Sequence, residues 1–137
     1  MQKDEIKWRA VAKDRIRYLV KNFKHERPGE ATHSIYFISF TRSREDLTPD
    51  GLYIGETKQA VETRFEQHIA GGLYAGRIFK GKFARNGILL RDLNRLVPKM
   101  SEHDAKRFER VLLDALRGKG IYNRCIRGLP ARKVRGA

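Results

Sequence analysis

The stretch SIYFISF, residues 34–40, decides the fold, because it is rich in β-branched and aromatic residues and is apolar on both faces of a strand. The polar segment TRSREDLTPDG (41–51) separates it from a second strand-like run, LYIG (52–55). Two short strands around such a loop predict an antiparallel hairpin. Because the first strand is apolar on both faces, we expect the sheet to be covered on both sides.

A basic amphipathic helix is predicted before the hairpin, over residues 4–24. Its apolar residues recur at spacings of three and four and form one stripe. The stripe comprises Trp8, Ala12, Ile16, Leu19 and Phe23. Asp4 is a candidate N-cap, and Pro28-Gly29 ends the segment. The stripe predicts a core-facing side, whereas the basic remainder is either a phosphate-contacting face or a solvated one.

Two further helices are predicted after the hairpin. The first covers residues 58–70, with Thr57 as its candidate N-cap. A spacing of four residues predicts its buried side, which comprises Val61, Phe65 and Ile69. The second opens at the capping-box pattern SEHD (101–104) and runs to about residue 117. Its inward residues are predicted to be Ala105, Phe108, Leu112 and Ala115.

The net charge is +14 in 137 residues, from 30 Lys and Arg against 16 Asp and Glu. Such an excess favours a polyanionic partner, most often nucleic acid, over a merely basic surface. No run approaches the roughly 20 apolar residues that span a bilayer, and the N-terminus lacks a signal peptide's apolar stretch. Cys125 is the only cysteine, which excludes an intrachain disulfide and a Cys-rich zinc site. We therefore expect a cytoplasmic protein with no membrane partner.

A phosphate-binding loop is suggested by the letters of GRIFKGKF (76–83) but not by their chemistry. Phe83 stands where such a loop needs a hydroxyl to hold magnesium, and no buried strand precedes the segment. The match is interpreted as chance. The four histidines show no metal-ligand spacing, and no nucleophilic cysteine with an evident base is present.

Six residues appear in the order of the predicted elements. They are Tyr36 and Tyr53 in the two strands, Arg64 and His68 four residues apart on the next helix, Glu109 on the last helix and Asn123 beyond it. Their order and spacing resemble the pattern of the GIY-YIG nuclease family over residues 33–124. The two tyrosine tripeptides of that family correspond to Ser34-Ile35-Tyr36 and Tyr53-Ile54-Gly55. The resemblance implies a third strand within ILLRDLNRLVP (88–98), a segment whose apolar residues fit a helix or a strand.

Three departures separate the chain from the family pattern. Ser34 replaces the first glycine, and the segment 37–52 between the tripeptides is longer than usual, which implies an extended loop. Some members have a lysine three positions after the second tyrosine, where this chain has Glu56. The role of that lysine would be absent or supplied by Lys58.

The roles that the resemblance implies match what phosphodiester hydrolysis requires, which is a base, positive charge at the phosphorane and protection of the leaving oxygen. Glu109, on an apolar helix face, would hold one Mg²⁺ or Mn²⁺ with waters in the other positions. Arg64 would hold two phosphate oxygens at once. Tyr36 or Tyr53 would be the base, and because the ordinary tyrosine pKa is about 10, it needs cations nearby.

Each of these residues also has an ordinary explanation when it is taken singly. Either tyrosine could be a half-buried strand residue, Arg64 could form a surface ion pair, and His68 could be an exposed helix residue. Glu109 could pair with a neighbouring lysine, and Asn123 could be a residue of a helix-end turn. Taken together on a chain of this charge, the six favour a catalytic site.

The sequence thus predicts an α/β domain of the α+β type over residues 1–137, with a small, mostly antiparallel three-stranded sheet flanked by helices. It comprises an extra N-terminal helix (4–24), a nuclease-like core (33–124) and a basic tail (125–137). The predicted activity is metal-dependent endonucleolytic cleavage of nucleic acid, with double-stranded DNA preferred; the alternative is a non-catalytic basic nucleic-acid-binding protein. Double-strand cutting by a one-site protein would favour a homodimer on the substrate. The cations predicted to contact nucleic acid are Lys58, Arg77, Lys80, Lys82, Arg85, Arg124, Arg127, Arg132, Lys133 and Arg135.

Overall fold

The computed structural model describes residues 3–40, 51–70, 87–118 and 124–127. Along the chain, the elements are α1 (Lys3–Asn22), β1 (Ser34–Phe40), β2 (Gly51–Thr57), α2 (Val61–Ala70), β3 (Ile88–Leu89), α3 (Arg91–Asn94), α4 (Glu102–Gly118) and β4 (Arg124–Arg127). Helices and a largely antiparallel sheet give the α+β class that the sequence predicts. Within these ranges, no helix is long and apolar enough to cross a membrane.

The sheet has the strand order β3-β1-β2-β4. β1 pairs antiparallel with β2, from Ser34 opposite Thr57 to Phe40 opposite Gly51, which confirms the predicted hairpin. β3 lies antiparallel on the other side of β1, so the three predicted antiparallel strands are present. β4 adds a fourth strand, parallel to β2, at the start of the segment that the sequence predicts as a basic tail. β4 consists of two apolar residues between two arginines, which is too short a pattern to predict a strand, and its pairing comes from β2.

The prediction of a strand within residues 88–98 is right only for its first two residues. After Leu89 the chain turns into the short helix α3. This turn supplies hydrogen-bond partners to backbone groups of β1, because the Leu90 N–H donates to the carbonyl of Phe37 at 2.9 Å. The Phe37 N–H in turn donates to Oδ1 of Asn94 at 2.7 Å. One helical turn therefore replaces the rest of a predicted strand.

Both faces of the hairpin are covered, as its sequence predicts. Alternate residues point into the main core, where they pack with α1, α3 and α4; these are Ile35, Phe37, Leu52 and Ile54. On the opposite face, Tyr36 and Ile38 are equally buried. The sheet is therefore the middle layer of the fold, and its second face is where the candidate site lies.

α1 lies against the main core with the face that its stripe predicts. Ala12 and Ile16 are fully buried, while Leu19 and Phe23 pack against the core from partly exposed positions. The side chain of Trp8 lies outside the described part of the chain. The helix ends at Asn22, slightly earlier than predicted, because the chain must turn to reach β1.

α4 begins where its capping pattern predicts. The hydroxyl of Ser101 accepts a hydrogen bond from the Asp104 N–H at 3.0 Å, which satisfies one free donor of the first turn. The other half of a capping box is missing, because the Asp104 carboxylate instead accepts from the backbone N–H groups of Glu26 and Arg27. α4 is thereby tied to the loop that follows α1. Three of its predicted inward residues are fully buried, namely Ala105, Phe108 and Leu112, while Ala115 is half-buried.

α2 departs most from its prediction. It starts at Val61, and the hydroxyl of Thr57 accepts from the Gln59 N–H at 3.0 Å, so Thr57 stabilises a turn before the helix. Of the predicted buried side, Val61 and Phe65 are only half-buried, whereas His68 is fully buried. Ile69 lies outside the described side chains. The helix is rotated toward its histidine because that side chain has a partner on the sheet.

Candidate active site

The site begins with a close approach between the two strands of the hairpin. Tyr36 of β1 lies directly opposite Gly55 of β2. A Cβ atom at Gly55 would be 2.5 Å from both Cζ and the hydroxyl oxygen of Tyr36. The tyrosine ring thus occupies the space that any other residue at position 55 would fill. This explains why a glycine ends the second tripeptide.

Tyr53 shares this face of the sheet with Tyr36, because the two are diagonal neighbours across the antiparallel pair. Their ring centroids are 6.1 Å apart, and both side chains are buried, at 1% and 4% exposure. Their hydroxyl groups are hydrogen-bonded to each other. The two predicted tyrosines therefore meet at one point of the sheet.

His68 joins the tyrosine pair from α2. Its Nε2 atom lies 2.8 Å from the hydroxyl of Tyr36. Its ring lies edge-on to that of Tyr53, with centroids 5.2 Å apart. Burial, and after it the charge of Arg64, lowers the pKa of His68 to about 3. The imidazole is therefore neutral at physiological pH, and its tautomer decides whether it donates to Tyr36 or accepts from it.

Arg64 lies one helical turn before His68 and is half-buried. Its guanidinium donates to Oε1 of Gln67 at 3.1 Å. Arg64 also forms a hydrogen bond with Tyr36, and its positive charge lowers the pKa of both tyrosines. The guanidinium thus lies beside the two hydroxyl groups, where a phosphate would receive both its charge and its paired donors.

Burial nevertheless keeps both tyrosines protonated. Burial, and then the neighbouring Tyr53, raises the pKa of Tyr36 well above its usual value despite Arg64. Burial also raises the pKa of Tyr53, but the hydrogen bond from Tyr36 and the charge of Arg64 limit the increase to about 12. Tyr53 is therefore the easier of the two to ionise. Additional positive charge would be needed to form its phenolate near neutral pH.

Glu109 lies on the inward side of α4 and is only 4% exposed. Its negative charge is one of the contributions that raise the pKa of Tyr53. A buried carboxylate supplies hard oxygen donors, the type that Mg²⁺ and Mn²⁺ prefer. Glu109 could therefore hold a divalent ion, whose remaining positions water and substrate would fill.

A second group of metal-ligand types occurs elsewhere, where Glu26, His103 and Asp104 place ligand atoms within 4.8 Å of one another. These atoms already have protein partners. Nε2 of His103 lies 2.6 Å from Glu26, and the guanidinium of Arg107 lies 3.3 Å from Glu26 and 3.0 Å from Asp104. Burial opposes the ionisation of Asp104, but four hydrogen bonds outweigh it and hold its pKa well below the usual value. We interpret this group as a structural network, since a cation there would face the Arg107 guanidinium.

Glu56, which stands where some members of the similar nuclease family have a lysine, lies near two residues of the structure. The Glu56 carboxylate lies 3.5 Å from Nε2 of His33, which also lies 3.4 Å from Glu102 at the start of α4. Lys58 is exposed. The pKa of Glu102 is lowered mainly by its hydrogen bond with Lys106, and Lys58 contributes more weakly. Lys58 thus lies toward the beginning of α4, and a catalytic role for it stays a prediction.

The remaining predicted site residues are covered only in part. Arg124 and Arg127 are the first and last residues of β4. The predicted site residues that lie outside the described part of the chain are Asn123, Arg77, Lys80, Lys82, Arg85, Arg132, Lys133 and Arg135. Their assignments stay predictions. Gln67 is a site residue that the sequence analysis missed, and its position three residues after Arg64 on a helix was the available signal.

Comparisons with protein-family models, curated proteins and solved structures found no match to this chain. The candidate site therefore depends on its own geometry and on the resemblance of its motifs.

Proposed function

We propose that this chain is a metal-dependent endonuclease that hydrolyses phosphodiester bonds, with double-stranded DNA as the favoured substrate. The observation that supports it most is the cluster of the buried Tyr36, Tyr53 and His68 with the half-buried Arg64, with the Glu109 charge acting on Tyr53. A purely structural core would gain nothing from a half-buried arginine, a neutral histidine and a buried carboxylate around two hydroxyl groups. The GIY-YIG resemblance supports the same assignment.

In this proposal, Tyr53 is the base that takes the proton of the attacking water. When His68 has its proton on Nε2, it donates to the oxygen of Tyr36, and Tyr36 can then donate to Tyr53. This chain of donors favours the Tyr53 phenolate, in agreement with the direction in which the Tyr36 hydrogen bond moves the Tyr53 pKa. The neutral His68 thus orients the two tyrosine hydroxyl groups without itself becoming protonated.

Arg64 would bind the scissile phosphate through two donors and stabilise the charge that develops on its oxygens. Glu109 would hold the divalent ion. When bound, Mg²⁺ or Mn²⁺ supplies positive charge that favours the phenolate and the phosphorane. Gln67 would keep the guanidinium of Arg64 turned toward the tyrosines. We also propose a cytoplasmic location, because a single cysteine is typical of a reducing compartment.

A non-catalytic nucleic-acid-binding protein is the second candidate, and the protonated state of both tyrosines favours it. The two are separated by nicking of supercoiled plasmid with Mg²⁺ or with a chelator. We expect Mg²⁺-dependent nicking that is strongly reduced in Tyr53→Phe, less reduced in Tyr36→Phe and abolished in Glu109→Gln, with each variant still binding duplex DNA. Binding without any nicking by the wild-type chain would support the second candidate. Full activity of Tyr53→Phe would remove Tyr53 from the mechanism.

A further inference from the structure

An open groove of about 460 Å³ lies on the solvent side of α4, away from the tyrosine cluster. It is lined by His103, Lys106, Arg107, Arg110 and Val111. Four of these five side chains are cationic or become cationic on protonation, and among the described residues no carboxylate lines the groove. Val111, an exposed apolar side chain, is the fifth described residue of the lining. The proposed catalytic steps use none of these residues.

The cations of the groove are held in two different ways. Arg107 is fixed, because it donates to the carbonyl of Lys24 at 3.1 Å, pairs with Asp104 and lies 4.9 Å above the ring of Phe23. It is therefore part of the structure that joins α1 to α4.

Among the described residues, Lys106 and Arg110 form solvent-exposed pairs. Lys106 lies 3.2 Å from Glu102, and Arg110 lies 3.9 Å from Asp114. Exposed pairs of this kind contribute little to stability. Both cations can therefore exchange an intrachain carboxylate for a phosphate without loss of the fold.

We propose that this groove binds the phosphate backbone of a nucleic acid duplex outside the reacting phosphate. The proposal rests on the proposed function for its class of partner. Lys106 and Arg110 are one helical turn apart, about 5–6 Å between their Cβ atoms, so that they can contact phosphates of one strand together. The described lining has four basic side chains, and a polyanion could replace the exposed carboxylates that pair with Lys106 and Arg110. Val111 offers a surface for a sugar ring. Because Glu109 lies on the inward side of the same helix, α4 would both anchor the duplex and hold the metal.

The test compares two double variants of equal charge change. Lys106→Gln/Arg110→Gln removes the two exchangeable cations, and Arg95→Gln/Lys99→Gln removes two exposed cations that do not line the groove. Duplex binding is measured by fluorescence anisotropy in a chelator over a range of salt concentrations. Each phosphate contact contributes about −0.9 to the slope of log affinity against log salt. We expect the salt slope of the groove variant to be less steep than that of the wild type by about 1.8, and the control variant to keep the wild-type slope.

An unchanged slope in the groove variant, or an equal change in both variants, would overturn the proposal. Binding of polyglutamate is measured in parallel. If the groove variant lost affinity for polyglutamate and kept its affinity for DNA, the occupant would be an acidic protein and the proposal would be wrong. Plasmid nicking separates this inference from the proposed function. If the wild-type chain never nicks plasmid but the groove variant shows the expected change of slope, the proposed nuclease activity is refuted and the proposed phosphate-binding groove is supported.

Discussion

Replacement of Gly55 by alanine tests the close approach on which the candidate site is built. An alanine Cβ would lie 2.5 Å from Cζ and the hydroxyl oxygen of Tyr36, whereas real Cβ atoms essentially never approach another heavy atom within 3.0 Å. The ring cannot easily move aside, because it is 1% exposed and its hydroxyl is bonded to His68. Overpacking of this kind costs about 1–3 kcal/mol in unfolding free energy.

The expected shift in Tm follows from the size of the chain. At about 2.1 cal/mol/K per residue, 137 residues give an unfolding entropy of about 0.29 kcal/mol/K. Gly55→Ala should therefore lower Tm by about 3–10 °C. Thermal and urea unfolding, followed by circular dichroism, measure the two quantities. We also expect weaker plasmid nicking, because Tyr36 would be displaced from His68.

Two companion variants make this prediction specific. Gly29 has no atom within 4 Å of the position of an added Cβ, so Gly29→Ala should be neutral or should stabilise by up to about 1 kcal/mol. In a Tyr36→Ala background, the ring is gone and Gly55→Ala should cost almost nothing. The same loss of stability in both backgrounds would refute the reasoning, as would a wild-type Tm for Gly55→Ala alone.

Three further outcomes are expected. Arg64→Ala should lower the cleavage rate at saturating DNA by about 10²–10³ with a smaller loss of affinity; equal losses would make Arg64 only a phosphate anchor. His68 stays neutral when folded but protonates when unfolded, because its folded pKa lies below the ordinary value of about 6.5. The free energy of unfolding is therefore unaffected by His68 well above pH 6.5 and decreases as the pH falls from there toward 3. The expected decrease between pH 7 and 5 is about 2 kcal/mol. Urea unfolding should show this decrease and its absence in His68→Gln; an equal pH dependence in the variant would contradict it. Asp104→Ala should lower Tm and speed hydrogen exchange at the N–H groups of Glu26 and Arg27, whereas Asp114→Ala, at an exposed position of the same helix, should do neither.

The sequence predicts those parts of the fold whose signals are local. β1 and β2 follow from one apolar run, a polar loop and a second run, and α4 follows from Ser101 and its inward spacing. The pairing of Tyr36 with Tyr53 could be expected once both tyrosines were placed on neighbouring strands. In each case, the residues that determine the element lie within it or next to it.

The failures arise where a distant residue decides the outcome. α3 replaces a strand because Asn94 and Leu90 bond to Phe37, more than 50 residues earlier. β4 depends on β2 for its pairing. α2 turns His68 inward because a buried tyrosine hydroxyl lies there, although the apolar spacing of the helix favours another face. No local pattern could contain this information.

The bond between Asp104 and the loop after α1 has a consequence for how the protein is made. The carboxylate that accepts the Glu26 N–H lies 78 residues further along the chain. A ribosome adds about 5–20 residues per second, so about 4–16 s pass between the synthesis of these two residues. During this interval the apolar side of α1, with Ile16 at its centre, lacks α4, against which it finally packs. α1 is therefore expected to dock late, and a nascent chain that ends before α4 should be a substrate for chaperones.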